Sequence, residues 1–347
     1  MPTNVSPEYK TAEAEFRKAR EPAERLRCLK EMLRTIPKHK GTEHLQADIK
    51  TRIKQLTEEL AGPRKGAART GPPQAVRPEG AAQVVLVGPP NSGKSSLLAR
   101  LTGAHSEIGP YPFTTKFPVP GMLPHEDVHI QLVDLPPVSA DFMEPWVPNA
   151  LQTADAAMLV VDLSDPECVE QVQAIRSRLE EKRVTLAERW PADPPSVMAG
   201  APGDARDEAD VPDPFHLHLP TLLVASKADL DPDPDEAAVL EELLDAKFPS
   251  VSVSAKTGSG LGQIAPFLFE KLGIVRVYTK VPGKPADTGR PYTLRKGATI
   301  LDAAHLVHKD LAASLKFARV WGSGRFDGQQ VGPEHCVADR DVVELHA

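Results

Sequence analysis

The spacing of apolar residues changes twice along the chain, and the first region has a helical period. Between residues 7 and 61, large apolar residues recur every three or four positions: Leu26, Leu29, Leu33 and Ile36, then Leu45, Ile49, Ile53, Leu56 and Leu60. This spacing predicts amphipathic helices interrupted at Pro37 and Gly41. We expect residues 1–62 to form a helical hairpin that packs on another domain or a partner, because its apolar stripe is narrow.

The second region alternates short apolar runs with helical patterns. It follows residues 63–80, which are mostly Gly, Pro, Ala and Arg, as is typical of a linker. Over residues 81–273 the pattern predicts strands at 83–87, 128–133, 156–161, 220–225 and 250–253, and helices at 94–102, 167–183, 235–247 and 262–272. This alternation indicates an α/β fold with a doubly wound, mainly parallel sheet. Residues 189–216 are rich in proline and carboxylates and predict an exposed loop.

The third region, residues 274–347, has a mixed pattern. It predicts strands at 274–280, 316–321 and 341–345, with a helix over 299–308. The histidines here (His305, His308 and His335) are interpreted as surface groups, because no cysteine or acid completes a tetrahedral metal site. Many residues of this region are basic, which favours an RNA or ribosome contact over a plain solvated surface. The basic residues of the N-terminal helices, Lys50, Arg52 and Lys54, are a second candidate surface for the same partner.

Composition and charge narrow the cellular setting. The 347 residues carry a net charge of −7, so a nucleic-acid contact would have to be local. The three cysteines lie far apart and fit neither a disulfide framework nor a zinc site. No apolar run is long enough to span a bilayer, and the polar N-terminus is unlike a signal peptide. We expect a cytoplasmic protein that does not contact a membrane.

Candidate chemistry begins in residues 88–95, Gly-Pro-Pro-Asn-Ser-Gly-Lys-Ser, which fit the phosphate-binding loop pattern G-x-x-x-x-G-K-[ST]. A predicted strand precedes the loop and a predicted helix follows it, so backbone N–H groups and the helix dipole favour an anion there. Lys94 is predicted to reach the β- and γ-phosphates and the Ser95 hydroxyl to bind Mg²⁺. The predicted nucleotide-binding residues of this loop are Gly88, Pro89, Pro90, Asn91, Ser92, Gly93, Lys94, Ser95 and Ser96.

Two later positions are candidates for the metal and the third phosphate. Thr115 ends the segment Tyr-Pro-Phe-Thr-Thr, where its hydroxyl could bind Mg²⁺ once a γ-phosphate is present. Asp134 ends a predicted strand, where a carboxylate can hold Mg²⁺ through water. We therefore predict Lys94, Thr115 and Asp134 as catalytic residues, and Ser95, Thr115 and Asp134 as the magnesium ligands.

Two segments at strand ends predict the base. Ser226-Lys227-Ala228-Asp229 places a carboxylate, Asp229, where it can accept from the N1–H and the 2-amino group of guanine, a pair of donors that adenine lacks. The stem of Lys227 can lie along the base, and a backbone N–H of Ser254-Ala255-Lys256 can address guanine O6. Each segment alone is compatible with a surface turn. Their order at successive strand ends favours a nucleotide site.

The five segments resemble the motifs of the Obg-like GTPases, most closely those of the developmentally regulated GTP-binding (DRG) subfamily. Residues 274–280, 317–322 and 331–335 are similar to its TGS domain, a ubiquitin-like β-grasp module. The resemblance implies a P-loop GTPase domain at 81–273, with a helical N-terminus and a TGS domain at 274–347. It also implies GTP and GDP as ligands, Mg²⁺ as cofactor, hydrolysis of GTP, and ribosomes and translation as the setting.

Several positions depart from the subfamily pattern. Ser226 stands in place of an asparagine, which predicts weaker nucleotide binding. Pro137 replaces the glycine of D-x-x-G, so the N–H that would bind the γ-phosphate is missing, and Val138 cannot orient the attacking water. We expect slow hydrolysis or hydrolysis stimulated by an accessory protein or ribosome. The alternative is a non-hydrolysing nucleotide-binding scaffold or RNA interaction module.

Asn91 adds a possible second cation. In related GTPases an asparagine at this loop position helps to bind K⁺, which would stabilise charge in the transition state. The other interpretation is that Asn91 only shapes the loop.

Overall fold

A computed structural model describes residues 6–19, 22–37, 42–61, 76–103, 117–193, 215–230, 242, 246–324 and 326–346. The chain divides into two compact units, Met1–Pro72 with Ser196–His216, and Pro73–Pro195 with Leu217–Ala347. Thr115 and almost all of the predicted helix 235–247 lie outside the described residues. None of the described helices is both long and apolar enough to cross a bilayer.

The first unit has three helices among its described residues, where a hairpin of two was predicted. They are α1 (Pro7–Lys18), α2 (Pro22–Thr35) and α3 (Glu43–Ala61), with α1 packed on α2 and α2 on α3. The leucine and isoleucine spacing does not reveal α1, whose buried face carries Tyr9 and Phe16 instead. Ser6 caps this helix by accepting a hydrogen bond from the Tyr9 N–H at 3.1 Å.

The segment 189–216 is not exposed along its whole length, so that prediction is wrong at both ends. Phe215 is 3% exposed and packs edge-on against Phe16 in the first unit, with ring centroids 6.0 Å apart. Trp190 is 2% exposed and belongs to the core of the second unit, edge-on to Phe267. Aromatic side chains bury a large apolar surface, which is enough to fix each end of this segment against a core. The proline-rich sequence around them gives no indication of this burial.

The second unit is built on a seven-stranded sheet. Its strands are β1 (Gln83–Val87), β2 (Val119–His125), β3 (Val128–Asp134), β4 (Ala156–Asp162), β5 (Val184–Ala187), β6 (Leu217–Ser226) and β7 (Ser250–Ser252). The order is β2-β3-β1-β4-β6-β5, and β7 also pairs with β6. Every pairing is parallel except the β2–β3 hairpin. The predicted α/β class with a mainly parallel sheet is confirmed.

Helices cover both faces of this sheet. They are α4 (Lys94–Thr102), α5 (Val147–Leu151), α6 (Cys168–Glu180) and α7 (Ile264–Lys271). Strand β1 is buried on both sides: Val84 and Leu86 belong to one apolar layer, and Val85 and Val87 to the other. A central parallel strand of this kind therefore appears in the sequence as a continuous apolar run.

Strands β2 and β5 were not predicted. Strand β2 contains Pro120, Gly121 and Pro124, residues that are unfavourable in a central strand and tolerated at a sheet edge. Since β2 is the edge strand of the sheet, pairing with β3 supplies the stability that its own sequence does not indicate.

The C-terminal part of the second unit has its own five-stranded sheet. Its strands are β8 (Ile274–Lys280), β9 (Ala286–Arg295), β10 (Phe317–Trp321), β11 (Gln329–Val331) and β12 (Asp341–His346), and its helices are α8 (Ile300–Val307) and α9 (Lys309–Ser314). The order β11-β10-β12-β8-β9 places β12 parallel to β8. Strands β9 and β11 were not predicted. A capping box between Thr299 and Asp302 begins α8.

Candidate nucleotide-binding site

The predicted phosphate loop lies between β1 and α4. Gly88 has no room for a side chain, since a Cβ there would lie 2.3 Å from the carbonyl oxygen of Val160. Gly93 and Asn91 are both left-handed, with φ of 91° and 60°, which curls the loop in front of the helix. Asn91 is exposed on this curve. The loop thus brings backbone groups and the N-terminus of α4 to one place, the arrangement that suits phosphate.

Lys94 is buried beneath the loop, with 6% of the residue exposed. Its Nζ donates to the carbonyl oxygens of Gly88 at 3.0 Å and Pro89 at 2.7 Å. Burial lowers the pKa of its ammonium group from 10.5 to about 8, and the nearby Asp134 carboxylate partly opposes this. A phosphate oxygen would be a stronger partner for this amine than either carbonyl, because an ionised acceptor makes the stronger hydrogen bond.

Ser95 and Asp134 meet at the loop. The Ser95 hydroxyl donates to Oδ2 of Asp134 at 2.5 Å, across 39 residues of sequence. Asp134 reaches this position because β3 runs parallel to β1, with Asp134 opposite Leu86. A hydroxyl and a carboxylate are oxygen ligands of the type that Mg²⁺ prefers, and Mg²⁺ bound to a nucleotide takes only one or two ligands from the protein. The residues present fit a magnesium ion.

After Asp134 the chain continues into the core. Residues 135–138 are all buried, and the side chains of Leu135 and Val138 are completely so. The Val138 N–H donates to the Gly88 carbonyl at 3.2 Å. This segment is therefore a packed wall beside the phosphate loop.

Ser226 connects the base segment to the phosphate loop. Its hydroxyl lies 2.6 Å from the carbonyl oxygen of Ser92 and 2.9 Å from that of Val161, and Ser226 is 6% exposed. The weaker nucleotide binding expected of a serine here stays a prediction, and this contact shows only that the hydroxyl reaches the phosphate loop. The hydroxyl reaches the loop directly because β6 and β4 end side by side.

Lys227 is held by an acid that the sequence analysis missed. Its Nζ lies 2.5 Å from Oδ2 of Asp162, the last residue of β4. Lys227 itself has a positive φ of 57°, a conformation rare outside glycine. Asp162 ends an apolar strand just as Asp134 does. This position at a strand end could have identified Asp162 as a site residue from the sequence.

Asp229 is oriented by the neighbouring base segment. Its Oδ1 accepts from the Ser254 hydroxyl at 2.6 Å, and its Oδ2 lies 3.5 Å from Nζ of Lys256. The Ser254 hydrogen bond is the main cause that lowers the pKa of this carboxyl, with a smaller contribution from Lys256. Asp229 is therefore an ionised acceptor at neutral pH, the state needed to bind two N–H donors.

A single cavity joins the phosphate loop to the base segments. Its volume is about 590 Å³, within the range usual for small-molecule sites. Gly93, Ser96 and Arg100 line one side, and Asp229, Ala255 and Lys256 line another. Arg100 was not predicted and lies on α4, one helical turn beyond Ser96. Gly93 and Ser96 share this cavity with Asp229, whereas Lys94, Ser95 and Asp134 are not among the residues that line it. Thr115 lies outside the described residues.

Comparisons with known proteins find two matching family models and several similar GTP-binding proteins. Residues 83–189 match the model of the 50S ribosome-binding GTPase family, and residues 275–347 match that of the TGS domain. Developmentally-regulated G-protein 1 of Arabidopsis thaliana is 29% identical, over 91% of this chain and 88% of its own length. Developmentally-regulated GTP-binding protein 2 of Homo sapiens is 28% identical, over 91% and 96%.

An archaeal relative and a solved structure are also similar to this chain. An uncharacterized GTP-binding protein of Methanocaldococcus jannaschii is 28% identical over 93% of this chain and 92% of its own. The crystal structure of a GTP binding protein from Pyrococcus horikoshii OT3 superposes with a TM-score of 0.50 at 17% identity, covering 76% of this chain and 99% of that one. At that identity the superposition shows a shared fold. The chain therefore carries a GTPase domain followed by a TGS domain, and it is similar to DRG proteins along nine-tenths of its length.

Proposed function

We propose that this protein binds GDP and GTP with Mg²⁺ and hydrolyses GTP slowly. The observation that carries the proposal is the cavity that opens both to the phosphate loop and to an ionised, oriented Asp229. Its relatives that are named as GTP-binding proteins support the same ligand.

Each end of the cavity has a distinct role in this proposal. Lys94 exchanges its carbonyl partners for phosphate oxygens, and the backbone of residues 88–95 surrounds the phosphates. Ser95 and Asp134 hold Mg²⁺, which neutralises phosphate charge when bound. Asp229 accepts from the N1–H and 2-amino group of guanine, and the backbone at Ala255 addresses O6.

A change at Asp229 tests guanine recognition. In Asp229→Asn the acceptor pair becomes one acceptor and one donor, so GDP affinity is expected to fall about 100-fold, since two hydrogen bonds to a charged group are weakened. Xanthosine diphosphate carries a carbonyl where guanosine has its amino group, and should bind this variant better than GDP does. Titration calorimetry of GDP and of xanthosine diphosphate into both proteins measures this change of preference. If the variant loses the same factor of affinity for GDP and for xanthosine diphosphate, Asp229 does not contact the base.

Hydrolysis is expected to be slow because Val138 offers no polar group to orient water. Single-turnover hydrolysis with protein in excess, with and without ribosomes, measures the rate and its stimulation by a partner. Phosphate release that depends on Mg²⁺ and is lost in Lys94→Ala supports the enzyme. The same assay in KCl and NaCl tests Asn91 as a K⁺ ligand: equal rates would leave Asn91 only a role in shaping the loop.

A non-hydrolysing nucleotide-binding scaffold is the second candidate, and the packed segment 135–138 favours it. Nucleotide binding without phosphate release, with ribosomes present or absent, would select this candidate.

For a partner we propose RNA or the ribosome, bound by the C-terminal domain. The family description of residues 83–189 as a ribosome-binding GTPase supports the setting. Exposed basic residues of the C-terminal domain supply the charge: Lys284, Arg290, Lys296, Lys316 and Arg319. Cytoplasmic localisation is part of this proposal.

A further inference from the structure

We infer that Arg100 is a base-specificity residue of the proposed nucleotide site, and that its guanidinium donates to O6 and N7 of guanine. The inference rests on the proposed function of the cavity as a guanine nucleotide site. It adds recognition of a second edge of the base, next to the edge that Asp229 binds.

Arg100 lines the cavity from helix α4. It lies four residues after Ser96, so the two side chains lie one turn apart on the same face of the helix. Both residues line the cavity together with Asp229 and Ala255 of the base segments. A cation therefore lines the part of the cavity where the base is expected.

The guanidinium lies beside the turn formed by residues 254–259. The Gly258 N–H closes this turn by donating to the Ser254 carbonyl at 2.8 Å. A Cβ added at Gly258 would lie only 3.6 Å from Nη2 of Arg100. The Ser254 hydroxyl, at the start of the turn, donates to Asp229 at 2.6 Å. Asp229 and Arg100 thus lie next to the two ends of one turn.

The order of these groups matches the order of polar atoms along guanine. The amino group on C2 is followed around the base by N1–H, then by O6, then by N7. Asp229 is assigned the first two, and the backbone at Ala255 addresses O6. Arg100, beside the far end of the turn, is left with N7 and the second lone pair of O6. A planar guanidinium fits this pair of acceptors with two parallel hydrogen bonds.

The other cations of the cavity already have partners. Lys227 lies 2.5 Å from an oxygen of Asp162, and Lys256 lies 3.5 Å from one of Asp229. Arg100 is exposed and has no hydrogen bond or ion pair with any residue that the structure describes. Among the described contacts, none has to break before Arg100 binds a base.

Ser226 also lines the cavity, but its donor is committed elsewhere. Its single hydroxyl proton lies within reach of the carbonyl oxygens of Ser92 and Val161. Arg100 supplies the donor for N7 that this serine cannot. Adenine carries the same N7 but an amino donor in place of O6, so the contact adds to the preference for guanine.

The diphosphate of 7-deazaguanosine tests the contact, because it replaces N7 by a C–H group and keeps the other polar atoms of guanine. The wild-type protein should bind it about tenfold more weakly than GDP, since a hydrogen bond from a charged donor is lost. In Arg100→Met, GDP affinity should fall about 20-fold, and the two nucleotides should then bind within about twofold of each other. Arg100→Gln is a second variant in which the same convergence is expected.

Lys182→Met is the matched control. It removes one positive charge from another exposed position of the GTPase domain and should leave both affinities at their wild-type values. Titration calorimetry in Mg²⁺ measures the affinities, and circular dichroism verifies that each variant is folded.

Wild-type protein that binds GDP and its 7-deaza analogue equally tightly overturns the inference and leaves the proposed function standing. A tenfold difference that persists in a folded Arg100 variant also overturns it, because another group then binds N7 and Arg100 only braces the turn. If the wild-type protein binds neither nucleotide, the proposed function fails and the inference falls with it. A difference that is present in the wild type and in Lys182→Met, and lost when Arg100 is changed, supports both proposals.

Discussion

Ser226 has one hydroxyl proton and two carbonyl oxygens within reach, those of Ser92 and Val161. It can donate to only one of them at a time. Ser226→Ala removes the donor from a buried site and is expected to cost about 1–2 kcal/mol of stability and to weaken GDP binding about fivefold, since Ser92 belongs to the phosphate loop. Ser226→Asn supplies two N–H donors and should instead strengthen GDP binding about fivefold. Calorimetric titration of GDP into each variant compares them.

The control for Ser226 is Ser314→Ala, which removes an exposed hydroxyl from helix α9 in the C-terminal domain. It should bind GDP like the wild type. Wild-type affinity in Ser226→Ala would mean that the hydroxyl does not organise the loop.

Lys94 gives the folded protein a defined pH dependence. Its pKa is 10.5 ordinarily and about 8 in the folded protein, because burial disfavours the ammonium form. Between these values the unfolded chain binds more protons than the folded one, so stability rises as the pH increases from about 8 to 10.5. The charged amine is most costly below pH 8, where both states are protonated. A shift of this size corresponds to about 3 kcal/mol.

Lys94→Met removes the titration while keeping an unbranched side chain. The difference in free energy of unfolding between variant and wild type should therefore change by about 3 kcal/mol between pH 7 and 10.5, in favour of the wild type at the higher pH. Urea unfolding of both nucleotide-free proteins across this range provides the measurement. Parallel pH profiles for the two proteins would contradict it.

The turn between β2 and β3 carries the charges that attach the C-terminal sheet to the GTPase domain. Arg276 of β8 is buried, its side chain being 4% exposed, and it binds Asp339 through two nitrogens at 3.0 and 2.7 Å. The same guanidinium contacts Glu126 and, at 2.8 Å, Asp127, the two residues of the turn. Arg276 thus connects the edge hairpin of one sheet to a central strand of the other.

Arg276→Met should be strongly destabilising. It leaves three carboxylates close together without their shared cation, and the expected loss is about 3 kcal/mol at pH 7. Arg340→Met is the matched control. Arg340 also pairs with Glu126, at 2.8 Å, but its side chain is 62% exposed, so its loss should cost less than about 1 kcal/mol. Thermal and urea unfolding of the two variants distinguish a buried cluster from a surface ion pair, and similar small losses would argue against the cluster.

Acid should weaken the same cluster. Hydrogen bonds from Arg276 and Arg340 lower the pKa of Glu126; for Asp339, burial opposes ionisation but the bonds from Arg276 prevail and lower its pKa as well. Carboxyl groups with lowered pKa values stabilise the fold above their ordinary values near 4, and this contribution disappears as the pH falls through the lower folded values. The stability gap between wild type and Arg276→Met should therefore shrink from pH 5 to pH 2.5 in urea titrations. A constant gap would contradict the assignment.

How much the sequence predicts depends on the range of the interactions involved. The phosphate loop was predictable because eight consecutive residues determine its shape, with Gly88 and Gly93 at positions where the backbone needs them. The Ser226 contact with Ser92 spans 134 residues and depends on how β6 and β4 are paired, which no local pattern indicates. The edge strand β2 escaped prediction for a similar reason: pairing with β3, rather than its own residues, makes it a strand.

For the molecule as a whole, the proposed RNA contact depends on which basic residues of the C-terminal domain are exposed. Arg295 is basic, but its guanidinium pairs with the Asp155 carboxylate of the GTPase domain at 3.0 Å. It therefore contributes to packing between the domains. Lys316 and Arg319 are exposed at the start of β10 and along it, and Arg319 lies on the sheet face away from the domain core. These two residues are therefore better probes of RNA binding than Arg295.

The double variant Lys316→Ala/Arg319→Ala should weaken co-sedimentation with ribosomes. If each side chain neutralises one phosphate, affinity should fall about tenfold at low salt, and the slope of log affinity against log salt should become shallower by about 1.4 for single-stranded RNA. Lys182→Ala/Lys247→Ala removes the same charge from exposed positions of the GTPase domain and should leave binding unchanged. If both double variants sediment alike over a series of NaCl concentrations, then net charge rather than this strand determines the interaction. A selective loss in the first variant would assign the ribosome contact to β10.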